Sequence, residues 1–125
     1  MISGVHCVVY ADDADLARQF FRDVLGWPFV DAHGGWLIFG TGPSELGVHP
    51  TSGHHDDQEW STPARHEVTL MCDDIAATMA ELKAKGAEFA GEAREAGFGL
   101  TAMLKVPGAG EMMIYQPRHP VAHSL

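Results

Sequence analysis

Histidines and carboxylates are the residues of this chain whose types and spacing could do chemistry. His6 stands just ahead of an apolar run in which period-2 alternation sets Val5, Cys7 and Val9 on one side and leaves His6, Val8 and Tyr10 on the other. In a second such run, Val68, Leu70 and Cys72 form the apolar side, so Glu67, Thr69 and Met71 share the opposite one. A carboxylate on a mostly apolar strand face is costly to bury unless it is paired. Beside His6, Glu67 would serve as a general base on a bound substrate. The run His54-His55-Asp56-Asp57 is made of ligand-type residues, but adjacent residues in a flexible loop do not pre-organise one coordination sphere, and it reads as a solvated lid. His119 and His123, close to Pro117 and Pro120, read as surface residues. The chain carries no G-x-S-x-G elbow, no phosphate-binding G-x-x-x-x-G-K-[ST], no G-x-G-x-x-G after a strand and no C-x-x-C.

An internal repeat positions these residues. An offset of 60 superposes His6 on His66, Val8 on Val68, Asp13 on Asp73, Ala17 on Ala77, Gly26 on Gly86 and Phe29 on Phe89. In the first half, VHCVVY is a strand and Asp12 or Asp13 caps a helix. Along that helix Leu16, Phe20, Val24 and Ala17, Phe21, Leu25 recur at i, i+4, i+8 until Gly26 stops it. Strands are expected at PFVDA, WLIFG and SELGVH. The second half repeats the order: HEVTLMC, a cap at Asp73-Asp74, a helix with Ile75, Met79 and Leu82 on one face, Gly86, then AEFAGEA, LTAMLKV and EMMIYQ. Each half reads β-α-β-β-β. The expected organisation is one domain over 1–125, with modules 1–50 and 64–117 joined by a polar, turn-rich linker or lid at 51–63. Modules of about 55 residues bury too little surface to stand alone, so they must share a core or a partner.

Composition narrows the partners. Eight Lys and Arg against 17 Asp and Glu leave a net charge of −9 with histidines neutral. Nucleic acid and anionic membrane surfaces both attract basic chains, so neither is expected as a partner. No stretch is long and apolar enough to span a bilayer, and MISGVHCVVY lacks the pattern of a signal peptide, which predicts a cytoplasmic protein. Cys7 and Cys72 lie within apolar runs and are expected as buried, reduced thiols.

The tandem β-α-β-β-β order, His on the first strand, FFRDVLGW closing the first helix, the DDI helix start and IYQPRHP near the end resemble the vicinal oxygen chelate superfamily, the group of glyoxalase I, bleomycin-resistance proteins and extradiol dioxygenases. The resemblance runs over residues 3–120. It implies an α+β fold in which tandem modules curl their strands into a mixed β-sheet cup, and a homodimer, because such modules commonly complete their cup with a partner's module. It also implies metal ligands on the first and fourth strands of each module, supporting Lewis-acid activation of a chelated substrate or oxygen chemistry at iron.

His6 takes the first of those ligand positions. On the fifth strand the internal repeat nominates His66 and the family spacing Glu67; strand alternation favours Glu67. The fourth and eighth strands offer Leu46 or Gly47 and Met113 or Ile114, none of which ligates a hard divalent cation. A shift on the fourth strand would bring Glu45 or His49 into line, giving His6, His49 and Glu67 as a two-histidine, one-carboxylate set for Ni, Zn, Mn or Fe. The sequence fixes no cofactor.

Two functions follow as expectations. The first is a cup that binds a small aromatic or amphipathic molecule without a complete metal site, lined by Tyr10, His49, Glu67, Met71, Met103 and Gln116, with Trp36, Trp60 and Phe98 as rim or lid. The second is a metal-dependent lyase, isomerase or extradiol-type dioxygenase using His6 and Glu67.

Overall fold

The structure is a computed structural model that describes every residue except 1–6, 10, 46, 48–49, 64–65 and 124–125, and residue 55 by its backbone alone. The elements run α1 (Ala14–Asp23), β1 (Phe29–Asp31), β2 (Leu37–Phe39), β3 (Ser52–His55), β4 (Gln58–Ser61), β5 (Leu70–Met71), α2 (Ile75–Ala84), β6 (Arg94–Glu95), β7 (Gly99–Val106) and β8 (Gly110–Pro117). Among the described residues the strands form three sheets: β1-β2, β3-β4 and the four-stranded β5-β8-β7-β6. The fold class is α+β, as expected.

Both helices start where an aspartate caps them. The Asp13 carboxylate accepts from the Leu16 amide at 3.0 Å, and that of Asp74 from the Ala77 amide at 3.1 Å. Gly26 and Gly86 follow the helices with positive φ. The repeat slips by one residue inside the helices. α1 begins at 14 and α2 at 75, so Asp74, and not Asp73, is the counterpart of Asp13.

The second module realises the expected order as β5-α2-β6-β7-β8, but β6 falls at Arg94–Glu95, just beyond the strand expected at AEFAGEA, where Phe89 forms an isolated bridge to Leu104. Its sheet is built on the long β7–β8 ladder, which pairs Met103 with Met113, Ala102 with Ile114 and Leu104 with Met112. β5 joins β8 in parallel, Leu70 beside Ile114 and Met71 beside Tyr115, and the Cys72 amide extends the pairing to the Tyr115 carbonyl. Close approach requires glycine at 99, where a Cβ would stand 2.2 Å from the Gln116 carbonyl oxygen.

One core serves both modules. Ala17, Phe20 and Phe21 of α1 join Ile75, Met79 and Leu82 of α2, Ala87, and Ala102, Leu104, Val106, Met112 and Ile114 from one face of the sheet. The turn between β7 and β8 anchors α1 directly: the Asp13 amide donates to the Gly108 carbonyl at 2.9 Å, and Gly108, at φ +80°, has Asp13 backbone where a Cβ would be. In the first module, Phe21 stacks on Trp27 at 5.3 Å and meets Phe39 edge-on at 5.7 Å, tying α1 to β2.

The first module departs from expectation in two places. Residues 7–9 are not in a strand, because no described strand pairs with them, and Val8 is 55% exposed. Cys7 is accordingly exposed rather than buried; both cysteines are free, with Cys72 half-buried. The described residues of SELGVH also lie outside strands. The segment expected as a polar, turn-rich linker or lid contains the β3–β4 hairpin, whose turn places Asp56 and Asp57 at φ +49° and +60°. Paired positive-φ residues make the tight turn whose twist suits a hairpin, and aspartate tolerates that region better than most residues. Among the described residues, no helix is long and apolar enough to cross a membrane.

Candidate functional site

The four-stranded sheet has one face packed on the helices and one open face. Alternation puts Leu104, Ala102, Met112 and Ile114 inward, and sends Met103, Thr101, Met113 and Tyr115 to the other side. The register then sets Met71, Tyr115 and Thr101 in one row across β5, β8 and β7, with Met113 and Met103 paired in the next. All five are half-buried. Phe98, in the turn before β7, meets the Tyr115 ring edge-on at 5.6 Å. The result is an open patch of thioethers and aromatic rings, soft and adaptable surfaces that suit a flat apolar ligand.

One end of this patch is polar. The Tyr115 hydroxyl lies 3.3 Å from Nε2 of His119, whose Nδ1 is 3.0 Å from the Pro120 carbonyl oxygen. Glu45 reaches the same place from the first module, with Oε1 at 3.8 Å from His119 Nε2 and Oε2 accepting from the Ala122 amide at 2.7 Å. Arg118 fastens the adjoining tail through an ion pair with Glu95, and its amide donates to the Phe98 carbonyl. Burial holds the Tyr115 phenol above its ordinary value, and the charge of Glu45 and its hydrogen bond push it further the same way. Tyr115 is therefore a neutral hydrogen-bonding group at physiological pH. Burial likewise raises the Cys72 thiol, which stays protonated and donates to the Tyr115 carbonyl.

Met71 and Met103 share this face of the sheet, and Phe98 lies at its edge against Tyr115. Glu67 is exposed, ahead of the start of β5, while Val68, Leu70 and Cys72 pack against the core as alternation required. Gln116 faces the helix side, where its side-chain oxygen accepts from the Ile75 amide at 3.0 Å and supports the start of α2. Trp36 is 68% exposed and carries the Arg18 guanidinium 4.8 Å over its ring, which places it against α1. Trp60 lies across Gly53 on the β3–β4 hairpin, bounding a shallow groove with Ser52, His54 and Glu59. His6, Tyr10 and His49 lie outside the described residues, as does Leu46. Sequence reasoning missed Glu45, Tyr115 and His119 as a cluster. Alternation through Met113 could have placed Tyr115 on the open face; no local signal links residues 45 and 119.

The described residues do not fit a divalent-metal centre. They contain no group of three His, Cys, Asp or Glu side chains able to hold an ion. On the eighth strand the open-face side chain is Met113, a thioether unsuited to hard cations, while Ile114 is in the core.

Comparison with known proteins agrees with this architecture. TnmS3, an antibiotic-binding protein from Streptomyces sp. CB03234, superposes with a TM-score of 0.60 at 23% identity, covering 93% of this chain and 97% of that one. A lactoylglutathione lyase from Agrobacterium tumefaciens gives 0.59 at 17% identity, covering 91% and 93%. A glyoxalase/bleomycin resistance protein from Streptomyces sp. CB03234 gives 0.53 at 21% identity, covering 86% and 95%. No curated protein matches the sequence. The sequence model of one family matches residues 4–113, nearly the whole of both modules. The β-α-β-β-β order of the second module, the shared core and that match agree: the chain belongs to the Glyoxalase/Bleomycin resistance protein/Dioxygenase superfamily.

Proposed function

We propose that the protein binds a small aromatic or amphipathic molecule against the open face of the β5-β8-β7-β6 sheet, without catalysis at a metal. The observation that carries this reading is the register placing Met71, Met103, Met113 and Tyr115 side by side on the face turned away from the core. Ligand sites combine an apolar surface with a few fixed polar groups, and here Glu45 and His119 supply the polar end. A second copy is the natural cover for the rest of the exposed apolar surface. Val30 is 64% exposed and Ile38 43% exposed on the β1-β2 sheet, which supports a homodimer. TnmS3, described as an antibiotic-binding protein, puts this fold to a comparable use.

The test is a fluorescence titration with acridone, a neutral tricyclic probe. Saturable binding to the wild type, abolished by Met103→Glu with the fold retained, is expected; binding unaffected by that substitution contradicts the reading. A second reading, a metal-dependent lyase, isomerase or extradiol-type dioxygenase using His6 and Glu67, draws on the exposure of Glu67 just ahead of β5. Stoichiometric Ni, Zn, Mn or Fe in protein purified without a chelating tag, lost in Glu67→Gln, would favour it over the first.

A further inference from the structure

Among the described residues, and with the His119 ring neutral, the polar end of the open face has more hydrogen-bond acceptors than protons to fill them. The Pro120 carbonyl can only accept, so the 3.0 Å contact from His119 Nδ1 requires the proton on Nδ1 and leaves Nε2 of the neutral ring a bare acceptor. Oε2 of Glu45 is satisfied by the Ala122 amide, whereas Oε1 faces Nε2 at 3.8 Å, two acceptors turned toward one another. The Tyr115 hydroxyl, 3.3 Å from Nε2, brings one proton, which can serve the imidazole or the carboxylate but not both. With the ring neutral, one of these two acceptors is left for solvent or for a ligand's N–H. The cluster also carries the Glu45 charge, with a side chain only 16% exposed, so its field is poorly screened.

We infer that Glu45, His119 and Tyr115 form a subsite for a protonated amine carried by an aromatic or amphipathic ligand whose rings lie on the methionine face. This rests on the binding reading above and names the ligand class that reading leaves open. A cationic N–H fills the surplus acceptor, offsets the carboxylate, and sits beside the Tyr115 and Phe98 rings, whose faces attract cations. The net charge of −9 draws the same class of ligand toward the protein.

Three tricyclic probes of similar shape and different charge test this: 9-aminoacridine (cation), acridone (neutral) and anthracene-9-carboxylate (anion), titrated at low salt. The wild type should bind 9-aminoacridine on the order of tenfold tighter than acridone, and the anion most weakly. Glu45→Gln keeps an oxygen for the Ala122 amide and turns an N–H toward His119, filling the surplus acceptor. It should bring cation and neutral probe to within about twofold of each other. Tyr115→Phe removes the phenolic proton shared between His119 and Glu45 and should keep or enlarge the cation preference, an outcome that a purely structural role for the cluster would not give. Equal binding of all three probes to the wild type, or an undiminished preference in Glu45→Gln, overturns the subsite alone. Failure of every probe to bind overturns the binding reading as well.

Discussion

Met103 and Met113 face each other across the β7–β8 ladder, on the side of the sheet opposite the one that buries Leu104 and Ile114. Adjacent residues of the same two strands therefore have different work. Leu104 is fully buried in the core that unites the modules, while its neighbour Met103 is half-buried and belongs to the open face.

Stability should separate the two faces. Leu104→Ala opens a cavity in the shared core and should cost about 3 kcal/mol in urea denaturation, whereas Met103→Ala should cost about 1 kcal/mol or less. A Met103→Ala cost equal to that of Leu104→Ala would show that the open face is core.

The helix caps give a sharper local test. Asp74→Ala removes the bond to the Ala77 amide and should cost about 1 kcal/mol, while Asp73→Ala should change stability by less than about 0.5 kcal/mol. The reverse order would contradict the cap placement and restore the uniform repeat.

The two thiols should react at different rates. Cys7 is exposed, whereas Cys72 is half-buried, donates to the Tyr115 carbonyl and has its thiolate disfavoured first by burial. At neutral pH an aromatic disulfide reagent should modify one thiol quickly and the other slowly, and Cys7→Ser should delete the fast phase. Loss of the slow phase instead would contradict the assignment.

Alkaline pH should weaken the fold partly through Tyr115. Burial, then the charge and hydrogen bond of Glu45, raise its folded value above the ordinary value near 10. Between those two values the unfolded phenol has lost its proton and the folded one keeps it, so the unfolded state binds fewer protons and stability falls as pH rises. Below the unfolded value the group has no effect on the slope. The urea midpoint of the wild type should drop more steeply above about pH 10 than that of Tyr115→Phe; parallel curves would contradict the assignment.

Where local physics decides, the sequence was readable. The spacing of Ile75, Met79 and Leu82 and the alternation of Val68, Leu70 and Cys72 each name the residues that meet the core. The β-α-β-β-β order of the second module followed from the same patterns. The β3–β4 hairpin escaped because His54, Asp56, Asp57, Gln58 and Glu59 have the composition of a loop, and pairing there is set by the positive φ of the two aspartates rather than by hydrophobic periodicity. The polar cluster escaped for a different reason. Glu45 meets His119 and Ala122 across most of the chain, a contact made when the modules come together and written in no local pattern. Gln116 followed its strand's alternation to the helix side, where a backbone amide at the start of α2 needed an acceptor.

The open face is tested most directly by methyl NMR of the methionines during an acridone titration. The chain has six, of which Met79 and Met112 lie in the core and Met71, Met103 and Met113 on the open face. The account predicts saturable shifts at the methyls of Met71, Met103 and Met113, with those of Met79 and Met112 nearly still; shifts confined to the core methyls, or none at the open face under saturating probe, would contradict it.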